Sequence, residues 1–184
     1  MLQTNLERIE GPKLALRLIQ PDDAAYVYGL RTDPVYNSHL SEVRGTAEDQ
    51  RRWIEAYKAR EAAAQEFYYI IERRDGTPCG TVRLYDIQSD SFTWGSWILD
   101  HNKPSKAALE SALLSFSVGY QVLGLGQAHV DVRIANTHAE AFYRRLGMIE
   151  THRTAQDIFF VYPRSRFEAD REGYLAILKK DTKI

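Results

Sequence analysis

Apolar and polar positions alternate along this chain in two rhythms, one of period two and one of period near 3.6, and the switches between them mark out its elements. KLALRLIQ, Lys13 to Gln20, alternates residue by residue and predicts a half-buried strand. Pro21-Asp22-Asp23 supplies a helix start, with proline pre-set for the first turn and acids at the positive end of the dipole. That helix should run to about Thr32, because Asp33-Pro34 disfavours its continuation. Thr46 followed by Asp49 forms a capping box, and Trp53, Ile54 and Tyr57 recur at helical spacing, predicting a second helix from Ala47 to Ala63. EFYYIIERRDGTPCGTVRLYDIQSDSFTWGSWIL then reads as a three-strand antiparallel meander, turning at Asp75-Gly76 and at Gln88-Ser89-Asp90. Leu109, Leu113, Phe116 and Tyr120 form one stripe of a third helix. HVDVRI is a strand, Asn136 an N-cap, and Ala139, Phe142, Tyr143 and Leu146 the stripe of a fourth helix closed by Gly147. IFFVYP and GYLAIL read as final strands. The predicted order is β-α-α-β-β-β-α-β-α-β-β.

The 184 residues form an ordinary globular composition, 44% hydrophobic and 27% charged, and show no repeat or linker. One domain over residues 1–184 is expected. A net charge of −1 gives no field to gather phosphates or anionic lipids, which argues against nucleic acid and membrane surfaces as partners. No apolar run approaches the roughly 20 residues needed to span a bilayer, and MLQTNLERIEGPK lacks the layout of a secretory signal, so the cytoplasm is the expected location. The single cysteine, Cys79, sits in a strand-like run and reads as a small core residue.

Spacing alone gives Tyr143 only a core-packing role. The segment VDVRIANTHAEAFYRRLGMIE, however, resembles the strand–Asn–helix–Tyr–LGF segment of the GNAT superfamily of acetyl-CoA-dependent N-acetyltransferases, and the element order from Lys13 to Leu178 matches that fold. The resemblance implies an α/β (α+β) GNAT fold. Its single central sheet would be mixed, mostly antiparallel, of six to seven strands flanked by about four helices. It implies acetyl-CoA as co-substrate, no metal, and direct transfer to a primary amine. It makes Tyr143 the proton donor to the CoA thiolate and Asn136 a neighbour of the pantetheine arm. A phenol, with its ordinary pKa of about 10, stays protonated at neutral pH and suits that task.

In the family, a Q/R-x-x-G-x-G/A loop turns backbone amides onto the CoA diphosphate. Here the corresponding stretch is His101-Asn102-Lys103-Pro104-Ser105-Lys106, without either glycine. Asn102, Lys103, Pro104, Ser105 and Lys106 are the expected diphosphate contacts, with Lys103 and Lys106 bringing positive charge and the helix dipole retained. A bulge at Gly95 would expose strand backbone to pantetheine, with Trp97, Ile98 and Leu99 along that arm. Trp94 and Trp97 fall on opposite faces if alternation holds, and a bulge would change that.

Many family members carry a glutamate base early in the fourth strand, but the corresponding residue here is Thr93. Asp86, His39 and a water held by Ser96 are the candidate bases. The acceptor site of the family lies between the first two helices and at the last hairpin, here Arg31 to Gly45 and Tyr162 to Gly173. Arg31, Tyr36, His39, Asp86 and Trp94 are the candidate acceptor contacts. Arginines and aromatics in these loops suit a diphosphate and a base, which favours a nucleotide-linked amino sugar over a polyamine. LRTDP, RRWIEAYK and RLYDIQSDSFTWGSWI also resemble nucleotide-amino-sugar N-acetyltransferases, whereas LRLIQPDDA resembles the branch acetylating ribosomal-protein N-termini. A degenerate, non-catalytic binding module is a further alternative. The resemblance also makes a homodimer paired through the last strands an expectation.

Overall fold

The computed structural model describes residues 6–180. The first five residues of the stretch read above for a secretory signal lie outside them. Eight strands form one sheet: β1 (Arg8–Glu10), β2 (Leu14–Leu18), β3 (Phe67–Arg73), β4 (Pro78–Tyr85), β5 (Ser91–Leu99), β6 (Gln127–Arg133), β7 (Ile149–Arg153) and β8 (Asp157–Pro163). Their order across the sheet is β1-β2-β3-β4-β5-β6-β8-β7, and every pairing is antiparallel except β5 with β6. Helices α1 (Ala24–Thr32), α2 (Pro34–Asn37), α3 (Ala47–Ala62), α4 (Ala107–Ser117), α5 (Thr137–Leu146) and α6 (Arg164–Lys179) complete the described chain, with a π-helical turn, Val118–Val122, extending α4.

The sheet has eight strands, not the expected six to seven: β1 and β7 lie at its two edges, outside six strands that the sequence pattern marks. β1 is three residues long, and β7 is almost wholly exposed, so neither carries an alternating apolar signal. GYLAIL, expected as a strand, is the end of α6. Phe167, Tyr174, Leu175 and Leu178 lie on one helical stripe packed into the core, and Arg164–Glu168 and Arg166–Asp170 pair one turn apart. A short apolar run cannot distinguish strand from helix when its polar flank is read as a turn. The segment Tyr162 to Gly173 is therefore mostly helix. The hairpin joining the last strands is the short link from β7 to β8.

The larger core lies where α4, α5 and α6 cover one face of the sheet. A smaller one, with Val27, Ile54, Tyr57, Tyr68 and Ile70, lies under α1 and α3 on the other. That second face is covered by α1 and α3 at the β2–β4 end, while His129 and Asp131 of β6 remain exposed. No helix among the described residues is long and apolar enough to cross a membrane.

Candidate active site

The site arises where the one parallel pairing gives out. β5 and β6 run side by side only through Ser91↔Gln127, Phe92↔Ala128 and Thr93↔His129. Beyond Thr93 the strands part, leaving the β6-facing edge of β5 without a strand partner. β5 also carries a bulge: Thr81 pairs with Ile98 and Arg83 with Gly95, so two residues of β5, Ser96 and Trp97, answer the single Val82 of β4, and Ser96 takes φ +48°. Gly80 permits the close approach beside the bulge, since a Cβ there would lie 2.0 Å from the Ile98 carbonyl oxygen. The extra residue brings Trp94 and Trp97 onto one face, where both indoles donate to α4, to Ser115 Oγ at 2.8 Å and Ser111 Oγ at 3.1 Å. The opposite-face placement expected from strict alternation does not occur.

On the face that carries α1 and α3, the gap opens into a pocket of about 360 Å³ whose lining includes Arg31, Tyr36, His39, Tyr85, Asp131 and Tyr143. Tyr143 belongs to α5 on the opposite face and reaches this pocket through the gap. Its ring lies edge-on to Trp94 and Phe160, it is 5% exposed, and its hydroxyl makes no hydrogen bond to another described residue. Burial, with the Asp131 charge adding to it, pushes the phenol above its ordinary value.

Asp131 stands on β6 between Val130 and Val132, which face the core, so its own side chain faces the pocket. Asp131 stays exposed to solvent, and partial loss of hydration, then the neighbouring Asp157 carboxylate, shifts its carboxyl upward from the ordinary carboxylate value, with Arg133 opposing. Tyr85 across the pocket is likewise raised by burial and by Asp131. The sequence pattern suggested no role for Asp131; its one legible signal is a carboxylate five residues ahead of the Asn136 cap. Ser96 lines this pocket at the bulge. Asp86 lines neither this pocket nor the groove described next, and sits in the turn after β4 with φ +45°.

Behind the gap, a groove of about 530 Å³ runs between the end of β5, the start of α4 and α5. Trp97, Ile98, Leu99, Lys103, Pro104, Ser105 and Lys106, the residues expected along the CoA arm and diphosphate, line it together with His138, Phe142 and Arg145, for which the sequence suggested no role. Asn102 does not; its carbonyl accepts from Arg73. Asn136 borders both spaces and caps α5 by accepting from the Ala139 amide at 3.3 Å. Lys106 supplies without glycine the left-handed turn before α4, at φ +62°, and its ammonium donates to the Ile177 carbonyl at 3.1 Å. The amides of Ala108 and Leu109 in the first turn donate to no backbone carbonyl among the described residues. Tyr36 ties the two spaces together, its hydroxyl accepting from the His101 amide at 3.1 Å.

These residues fit acetyl-CoA. An open strand edge and a flat apolar wall suit a slender amide-bearing arm, and free helix amides with Lys103 and Arg145 suit a diphosphate. The sequence matches the family model described as acetyltransferase (GNAT) domain over residues 13–149. The chain belongs to the GNAT acetyltransferase family. It is an acyltransferase of that family, whose members use acetyl-CoA.

Among solved GNAT structures, apo FdhC, a nucleotide-linked sugar GNAT, is 35% identical with a TM-score of 0.86, over 93% of this chain and 98% of that one. The spermidine N-acetyltransferase of Vibrio cholerae, solved with CoA and spermine, is 16% identical with a TM-score of 0.75, over 86% and 99% of the two chains. The ribosomal-protein-S5-alanine acetyltransferase of Vibrio fischeri is 13% identical with a TM-score of 0.72, over 85% and 96%. The last two likenesses are of fold. No curated protein sequence matches the chain.

Proposed function

We propose that this GNAT enzyme transfers acetyl from acetyl-CoA to the primary amine of a nucleotide-linked amino sugar, with Asp131 as general base and Tyr143 as general acid. The observation that carries the reading is that a carboxyl shifted upward from its usual value and a buried, unpaired phenol line one pocket from opposite sides of the β5–β6 gap. The acceptor class is supported by the 35% identity to a nucleotide-linked sugar GNAT across nearly the whole of both chains, and by Arg31 in the pocket wall.

Bound acetyl-CoA supplies an activated acetyl as its thioester. Asp131 takes one proton from the acceptor ammonium, leaving the nitrogen lone pair free to form the new N–C bond; as the C–S bond breaks, the nitrogen gives up its second proton to solvent and becomes a neutral amide. The protonated Tyr143 phenol gives its proton to the departing sulfur, and both groups then return to their starting states by exchange with solvent. Asn136 positions the donor arm. Lys103, Arg145 and the first amides of α4 hold the diphosphate, and the Trp97 and Phe142 rings, 5.3 Å apart, form the apolar wall.

The test is steady-state release of CoA with nucleotide-linked amino sugars, spermidine and short peptides offered in parallel. The amino sugars should give the highest kcat/KM. A preference for spermidine or for a peptide N-terminus would overturn the assignment of the acceptor.

A further inference from the structure

A second pocket, of about 430 Å³, adjoins the first and shares Arg31 and Ser41 with it. It lies between α3, the loop before it, and strands β3 and β4. Its wall is aromatic: Trp53, which is 37% exposed, stacks on Tyr57 at 5.8 Å and meets the edge of Tyr68 at the same distance. Its charge is basic. Arg83 lies over the Trp53 ring at 5.4 Å, with its charge already met by Glu66 at 2.8 Å. Arg44 lies 3.7 Å from Glu42 in a pair open to water, which leaves its guanidinium available. The one carboxylate of the lining, Asp49, is taken up by the Thr46 cap and Arg52.

Two polar atoms in this lining want partners. Arg31 donates through Nη2 to Ser41, but its Nε is buried without an acceptor, and the Tyr68 hydroxyl is buried without a partner. They are two of the three such side-chain atoms among the described residues. Buried donors left unpaired are costly, and they mark places where a ligand oxygen belongs.

We infer that this pocket is the nucleoside diphosphate subsite of the acceptor, with the base against Trp53 and Tyr68, the diphosphate across Arg31 and Arg44, and the amino sugar carried past Ser41 toward Asp131. Guanidinium forks match phosphate oxygens, and an indole presents an apolar surface to a flat ring. A polyamine would meet arginines here, and a peptide N-terminus carries no anionic group at a fixed reach from its amine. The inference rests on the proposed acceptor class and adds where that acceptor is gripped.

The test is calorimetric titration of the full chain with uridine, thymidine, guanosine and cytidine diphosphates, none bearing a sugar. At least one should bind in a salt-sensitive way and compete with the acceptor but not with acetyl-CoA. Trp53→Leu should weaken it at least about fivefold. Arg44→Ala should weaken it about tenfold, and Arg44→Glu further, at a position too exposed to disturb folding. If amino-sugar nucleotides are acetylated while no nucleoside diphosphate binds, or while the Arg44 variants leave the acceptor KM unchanged, the subsite is overturned and the acceptor class stands. If no nucleotide-linked sugar is acetylated and no nucleoside diphosphate binds, the acceptor class falls and the subsite with it.

Discussion

Tyr143 and Asp131 show how differently two residues of one site can be written in a sequence. The tyrosine lies on an apolar helical stripe and became a candidate through resemblance to a family segment; its geometry adds a hydroxyl without a partner, facing the gap between β5 and β6. The aspartate lies in a plain alternating strand. Its distinction comes from Tyr85, Asp157 and Tyr143, contributed by three other elements, and no local pattern encodes that gathering. Tyr143→Phe should lower kcat by about 10²- to 10⁴-fold with acetyl-CoA affinity retained, measured by steady-state kinetics beside calorimetry. Asp131 acts when deprotonated, so kcat/KM should fall on the acid side, along a limb shifted upward from the ordinary carboxylate value. Asp131→Asn should remove that limb together with most of the rate. An unchanged pH profile in Asp131→Asn would assign the base elsewhere. Burial keeps the Tyr143 phenol protonated past its usual value of about 10, so no alkaline loss near neutrality should come from it.

Among the elements, the meander, the capped α3 and the strand–cap–helix around Asn136 were legible because each carries both a periodicity and a stop signal. Thr46 and Asp49 do form the capping box, and Gly147, at φ +96°, does close α5. β7 was not legible because a strand at the sheet edge with an exposed IETHR sequence buries nothing that alternates. α6 was misread because its apolar stripe is spread thinly among arginines and acids. The β5 bulge was foreseen at Gly95; the residue that takes the left-handed conformation is its neighbour Ser96, a strain glycine would not feel. Ser96→Gly should therefore raise stability by about 1 kcal/mol, or roughly 2–4 °C in Tm, whereas Ser96→Val should lower it. A thermal melt that ranks the two in the reverse order would contradict the strained bulge.

Across the whole molecule, net charge conceals how charge is placed. The chain sums to −1, yet Lys103 and Arg145 rim the groove behind the gap. Replacing both by alanine should weaken CoA binding in low salt and matter less as salt rises. Global stability also rests on one buried carboxylate: Glu110, 2% exposed, accepts the Lys13 amide at 3.0 Å and the Leu14 amide at 2.6 Å, joining α4 to the start of β2. Burial raises its pKa above the ordinary value near 4.5. A raised carboxyl gives most stability while protonated and loses that share as pH rises through the raised value. Wild type should thus compare better with Glu110→Gln near pH 5 than near pH 8, as read from paired melts over that range.

The most direct measurement is mass-spectrometric analysis of a nucleotide-linked amino sugar after incubation with acetyl-CoA and the protein, with CoA release followed in the same tube. One acetyl group added per sugar with matching CoA release, lost in the Asp131→Asn/Tyr143→Phe double variant, is the result predicted. Acetyl-CoA bound without any transfer by the wild type, or undiminished transfer by the double variant, would contradict it.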